Sequence, residues 1–220
     1  AEISFQSGDK EYLAKMHIIS LRETMENSDI FATGEEFDGY MIALYLIDET
    51  ALKLALREND NQSLVFGLLY LDNYEEALES VDEVRRSLLM ALIERKLNKY
   101  FAGVDGIVKK MEKDKFFVVM RKKSLRALQE SRFDLLEEVK KVNIGNDMSV
   151  TVSMGIGTGG LTYFQNYEFA RTSIDLALGR GGDQVAVKTP AGITYYGGKS
   201  QQVEKNTRVK ARVKAHSLKE

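Results

Sequence analysis

The chain has 220 residues, 44% of them hydrophobic, with 31 Lys+Arg against 33 Asp+Glu for a net charge of -2. That length buries a real core and accommodates one large or two small domains, and two folded parts are the starting expectation. The charge balance gives no global reason to expect nucleic acid or an anionic membrane as partner. The absence of cysteine excludes disulfides, thiolate nucleophiles and cysteine-ligated metals, and no apolar run approaches the roughly 20 residues of a membrane helix, so the chain reads as soluble.

It also reads as an excised piece of a longer protein: the first residue is not Met, strand-like alternation begins at once, and the basic, helix-prone stretch from Lys199 to Glu220 has no stop signal. Ile3 and Phe5 begin an alternating segment. Ser7-Gly8-Asp9-Lys10 supplies a turn, and Glu11 to Leu21 alternates again, which predicts a hairpin. After a polar connection through residue 39, the apolar run Tyr40 to Ile47 fits a central strand of the same antiparallel sheet. Three strands followed by an acidic-Thr step, Asp48-Glu49-Thr50, resemble the second half of a PAS sensor. Ala51 to Asn59 has helical spacing with Thr50 as N-cap. It reads equally as a plain connector and as a helix that couples domains or pairs across a dimer.

The second part opens on Leu64 to Leu71, a continuous apolar run suited to a strand buried on both faces and ended by Asp72-Asn73. Glu75 to Phe101 reads as one amphipathic helix stopped by Gly103. Gly106 to Met111 and Phe116 to Met120 form a tight hairpin around the polar tip Glu112-Lys113-Asp114-Lys115. Ser124 to Val142 is a second helical region and Met148 to Ile156 a second buried strand. Tyr167 to Leu178 is a third helix, broken at Gly179, and Gln184 to Lys188 with Gly192 to Tyr196 form a small edge hairpin around Thr189-Pro190-Ala191. That order predicts an α/β (α+β) fold, a central sheet flanked by helices.

Three stretches carry a resemblance to GGDEF domains, the fold of bacterial diguanylate cyclases: Tyr70 to Glu75 where the family has Asp-x-Asp-His-Phe-Lys, Glu112 to Phe116 in place of Gly-Gly-Asp-Glu-Phe, and Val150 to Gly157 near its Thr-x-Ser-x-Gly strand. The family's two metal-binding carboxylates fall on Tyr70 and Lys115, and a phenol and an ammonium supply no hard anionic oxygen. Its two turn glycines fall on Glu112 and Lys113, which add bulk and charge where bare backbone approaches a nucleotide. Its phosphate-gripping Lys and Arg fall on Leu178 and Gly182, and its guanine contacts near Leu78 and Ser87. On this resemblance the domain is catalytically degenerate, with no catalytic residue.

Ala177 to Lys188, Tyr196 to Ser200 and Val203 to Val213 resemble the GdpP/YybT-type cyclic-di-AMP phosphodiesterases. That resemblance implies two upstream transmembrane helices placing the chain on the cytoplasmic side of a bacterial membrane. Residues 1-50 would be the end of a PAS domain, 51-62 a connector, 63-198 a degenerate GGDEF domain, and 199-220 a basic linker toward a DHH/DHHA1 catalytic domain of the same chain. It implies Mn in that downstream domain, where cyclic-di-AMP is hydrolysed to pApA, haem in the PAS part, and a homodimer. No cofactor is required by the stretch in hand. His17, alone on a strand, reads as sheet surface or core rather than a haem ligand, and His216 carries no argument.

Degenerate domains of this type are associated with weak ATP hydrolysis, so Asp72, Asn73, Asp114, Lys115 and Arg180 are nucleotide-binding candidates for ATP with Mg, and Asp72 or Asp114 the metal candidate. The plain alternative is a solvated turn at Asp114-Lys115 and a helix stop at Gly179 to Asp183. The basic tail reads as an interdomain linker, with no nucleic acid expected.

Overall fold

The structure, a computed structural model, describes residues 1-20, 40-79, 81-146 and 148-198. The predicted polar connection, the basic linker and His216 lie outside the described residues. No helix of the described residues is long and apolar enough to cross a membrane. The chain divides into two compact units, Ala1-Asp60 and Asn61-Glu220.

The first unit is a three-stranded antiparallel sheet: β1 (Glu2-Ser7), β2 (Lys10-Ser20) and β3 (Tyr40-Asp48), in that spatial order. The β1-β2 turn uses Gly8 at φ +60°, a left-handed position that costs glycine least. The expectation that Tyr40 to Ile47 is central is corrected: β2 is central, and β3 pairs with β2 alone. Apolarity along β3 signalled burial by neighbours, yet Tyr40, Ile42, Leu44 and Leu46 are all exposed. Their register places them beside Ile3, Phe5, Met16 and Ile18 on one continuous apolar face.

Helix α1 (Thr50-Gln62) follows. Thr50 is its first residue rather than its cap. Asp48 takes the capping role, accepting the Thr50 N-H at 3.0 Å and the Thr50 hydroxyl at 2.6 Å, and Thr50 Oγ1 accepts the Glu11 N-H at 2.9 Å. Lys53 and Arg57 pair with Glu11, so the polar face of α1 points at its own sheet and Leu52, Leu54 and Leu56 remain exposed.

The second unit is a six-stranded mixed sheet, β5-β6-β4-β7-β8-β9, with β4 at Leu64-Leu71, β5 at Ile107-Lys110, β6 at Lys115-Arg121, β7 at Val152-Gly157, β8 at Gln184-Thr189 and β9 at Gly192-Gly197. All neighbours are antiparallel except β7 and β8. The expected edge hairpin is thus only half an edge, because β8 lies inside the sheet and β9 forms its margin. Among the described residues, α1 is followed by α2 (Tyr74-Glu79), α3 (Glu83-Ala102), α4 (Lys122-Glu130), α5 (Leu135-Lys140) and α6 (Tyr163-Gly179).

Val65, Leu69, Phe116, Val118, Val152 and Met154 meet the apolar sides of α3, α4 and α5 in the main core. On the other face, Leu68 packs against Ala170 and Ile174 of α6. That helix rests on bare backbone: a Cβ at Gly157 would lie 1.8 Å from the Asn166 carbonyl oxygen, and one at Gly155 2.2 Å from the Ile174 nitrogen.

Both long helices expected from periodicity are divided. The first divides at Val81-Asp82: the Asp82 carboxylate caps α3 by accepting the Arg85 N-H at 3.0 Å, satisfying a donor the helix start would leave unpaired. The second divides at Arg132 and Phe133, at φ +54° and +55°. Two left-handed residues cost roughly 1-2 kcal/mol each. Against this, Phe133 is 1% exposed and meets Tyr196 edge-on at 5.0 Å, a burial worth about 1.5-3 kcal/mol plus about 0.5-1.5 for the ring pair. Core packing offsets the turn. Strand β7 begins at Val152 rather than Met148 because the Asn73 side chain, just past β4, holds the backbone at Ser149 and Thr151.

Candidate functional site at the end of β4

Antiparallel register sets Lys115 of β6 directly opposite Tyr70 of β4, with Ser153 of β7 on its other side. The Lys115 ammonium lies 5.5 Å from the Tyr70 ring centroid and 2.6 Å from Glu112 Oε2. The Glu112 carboxylate holds Lys115 above its ordinary range, and burial pushes the Tyr70 phenol up. Both groups stay protonated at neutral pH. The tip closes on backbone bonds: Met111 and Glu112 N-H both reach the Lys115 carbonyl, at 2.9 and 3.2 Å, and Leu71 N-H reaches the Asp114 carbonyl at 2.9 Å.

One residue on, Asp72 turns inward. Its Oδ2 accepts the Asp183 N-H at 2.8 Å, and Gly182, at φ +75°, leaves room for it: a Cβ there would stand 2.9 Å from the Asp72 carboxylate. Its Oδ1 is buried with no hydrogen-bond partner. Desolvation raises the Asp72 pKa, opposed by the neighbouring Ser153 hydroxyl and the Asp183 N-H. Asn73 is committed to the backbone before β7, accepting from Thr151 N at 2.9 Å and donating to the Ser149 carbonyl at 2.8 Å.

Two adjoining clefts open beside these residues. One, of about 250 Å³, is lined by Asp72, Tyr74, Glu75, Glu76, Lys113 and Asp114, with Leu71 at its base. The other, of about 480 Å³, has Leu78 and Met90 as apolar floor, with Tyr74, Arg86, Ser87 and Lys113 around it. They share Tyr74, Glu75 and Lys113. The structure therefore brings Asp72 and Asp114 to one cleft, and Leu78 and Ser87 to the next. Lys115 stands apart from both linings, and Arg180 is engaged elsewhere, its guanidinium 4.2 Å from the Tyr195 ring centroid and its Nε 3.3 Å from Gln184 Oε1.

Asp114, Glu75 and Glu76 offer hard oxygens of the kind Mg²⁺ accepts while keeping water. Among the described residues, no group of three or more His, Asp or Glu gathers closely enough to hold a metal ion by itself. Sequence reasoning missed Glu75, Glu76 and the pair Lys140-Asp183, whose Nζ-Oδ2 distance is 2.7 Å with Asp183 1% exposed. The acidic start of α2 was visible in the sequence. The Lys140 pairing was not, since 42 residues of intervening chain must fold to make it.

The family described as cyclic-di-AMP phosphodiesterase GdpP-like, GGDEF domain, matches residues 69-194. The chain is 36% identical over 178 residues to the cyclic-di-AMP phosphodiesterase GdpP of Geobacillus thermodenitrificans, covering 80% of this chain and 27% of that protein. It is 35% identical over the same length to GdpP of Bacillus subtilis and to PdeA of Listeria monocytogenes, with the same coverage. The chain thus spans about a quarter of the length of the curated relatives it matches. A diguanylate cyclase/phosphodiesterase from Caldicellulosiruptor saccharolyticus shares the fold, with a TM-score of 0.50 at 16% identity over 66% of this chain and 90% of that one.

Proposed function

We propose, from the premise that this chain belongs to the GdpP-like GGDEF family of cyclic-di-AMP phosphodiesterases, that its larger unit is a catalytically degenerate regulatory module within a longer, membrane-bound phosphodiesterase. The observation that carries this is the Tyr70-Lys115 pair. Where a cyclase would hold two divalent cations between carboxylates, this sheet sets a phenol beside an ammonium tied to Glu112, and a cation there meets repulsion in place of ligands. On this reading the chemistry, hydrolysis of cyclic-di-AMP to pApA at Mn, belongs to a DHH/DHHA1 domain downstream, in a homodimer on the cytoplasmic side of the membrane.

The first unit is read as the closing strands of a PAS sensor. Supporting this is the exposed face of Ile3, Phe5, Met16, Ile18, Ile42, Leu44 and Leu46, a contiguous apolar surface of the kind that marks a packing or binding face. The test is incubation with GTP and Mg²⁺: no cyclic-di-GMP is expected, and its formation overturns the degenerate reading.

A second reading is supported by the adjoining clefts, which share Tyr74, Glu75 and Lys113: ATP with Mg²⁺ bound there, base over Leu78 and Met90, phosphates toward Lys113 and Asp114. Calorimetric titration with ATP and Mg²⁺ tests it. Absence of heat, or binding unchanged in both Asp114→Ala and Asp72→Ala, removes it.

A further inference from the structure

Asp72, a wall of the smaller cleft, reaches across to the loop before β8. Its Oδ2 holds the Asp183 N-H, and two other parts of the fold converge on Asp183. The Asp183 carbonyl accepts the Gly198 N-H at 3.0 Å, at the point where the chain leaves β9. Its carboxylate meets Lys140 at the end of α5. Its φ of +54° is a strained setting for a residue with a side chain, persisting only where surroundings impose it. The neighbours leave little slack: a Cβ at Gly182 would meet Asp72 at 2.9 Å, and one at Gly197 would meet Leu136 of α5 at 2.6 Å and the Asp183 carbonyl at 3.0 Å. Gln184 locks the same loop from its other side, donating to the Ala177 and Gly182 carbonyls.

The path from cleft to the end of β9 is therefore Asp72, Asp183, Gly198: two hydrogen bonds in series through a residue with a left-handed backbone. Of the other linings, Glu75 and Glu76 lie on α2, and Lys113 and Asp114 at the hairpin tip, where the Asp114 carbonyl is tied to Leu71 of β4.

We propose that Asp183 is a mechanical coupling residue: whatever alters the hydrogen bond that Asp72 accepts from it, including a cation or phosphate bound in the cleft, changes the order of the loop Gly181-Asp183 and of the end of β9 up to Gly198. This rests on the regulatory reading above and names how the site would report onward. Asp72 and Lys140 act as positioning residues through Asp183.

Amide hydrogen exchange on the whole chain tests the coupling. Asp72→Ala removes the acceptor and is expected to speed exchange at Asp183, Gln184 and Gly198 roughly tenfold or more, while amides of the β5-β6 hairpin keep their rates. Asp72→Asn retains an acceptor oxygen and is expected to restore slow exchange. Lys140→Met perturbs Asp183 from the opposite side and is expected to open the same amides, which keeps the test available should Asp72→Ala fold poorly. Exchange rising uniformly across the sheet, or unchanged at Gly198 in both Asp72→Ala and Lys140→Met, overturns the coupling. The regulatory reading fails separately, if the full-length protein hydrolyses cyclic-di-AMP identically with Asp72→Ala although exchange at Gly198 has changed.

Discussion

Replacing Gly157 by Ala places a methyl group where helix α6 already is. The new Cβ would stand 1.8 Å from the Asn166 carbonyl oxygen, 2.6 Å from the Ala170 nitrogen and 2.7 Å from Phe169 Cβ. Two of those three are helix backbone, which has no rotamer to yield. Restoring ordinary contact requires α6 to retreat by roughly 1.5 Å, and a radial gap of even 0.5-1 Å forfeits about a quarter to a half of a contact's dispersion energy. The contacts at stake are those of Ala170, Ser173, Ile174 and Ala177, all at most 1% exposed. Inserted methylenes that can be absorbed cost about 1-3 kcal/mol, so a rigid clash of this depth is expected to cost about 4 kcal/mol. With a urea m-value near 2 kcal/mol/M the midpoint of the larger unit's unfolding falls by about 2 M, readable by far-ultraviolet circular dichroism. A midpoint shift below about 0.5 M would refute the reasoning, because it would mean that α6 does not rest on the β7 backbone.

Gly179→Ala is the counterpart: nothing lies within 4 Å of a Cβ there and its φ is not in the left-handed region, so a gain of about 0.4-1 kcal/mol is expected in the same titration. Asn73→Ala removes the three side-chain bonds to the segment before β7 and is expected to cost about 1-3 kcal/mol, with faster amide exchange at Thr151. Glu138 bonds Lys141 and Lys96, which depress its carboxyl from 4.5 to about 2. A depressed acid stabilises the fold above its unfolded pKa, so this contribution is lost as pH falls from about 4.5 toward 2. Lys96→Met should flatten the acid limb of a thermal-stability profile over that window, and an unchanged profile would dismiss the interhelical pair.

Element identity was largely legible because most apolar runs are consumed where they lie: Leu64 to Leu71 reads as a doubly buried strand and is one. Element boundaries failed where a tertiary contact outbids local periodicity. Nothing in the spacing of Ser124 to Val142 announces that Phe133 is claimed by Tyr196, and Glu75 to Phe101 hides a cap at Asp82 among many acidic residues. The order of β1 to β3 was misjudged since apolarity reports burial without saying by what. At the site, Tyr70 facing Lys115 follows from strand register, which a hairpin centred on Glu112 to Lys115 suggests. That Asp72 points inward to Asp183, 111 residues away, is long-range information that no local pattern holds.

Strand β4 is the first strand of its sheet to leave the ribosome, and it waits. Its neighbour β7 follows about 80 residues later, which at 5-20 residues per second is roughly 4-16 s of synthesis. LVFGLLYL, an uncharged stretch rich in β-formers, has neither flank paired until β6 arrives about 45 residues on, and its β7 flank stays open for the whole interval, the condition under which such segments recruit one another. The two charged helices α2 and α3 emerge next and are the first cover for its core-facing side. Yield in the cell should therefore respond to synthesis rate and chaperone supply before it responds to any property of the finished fold.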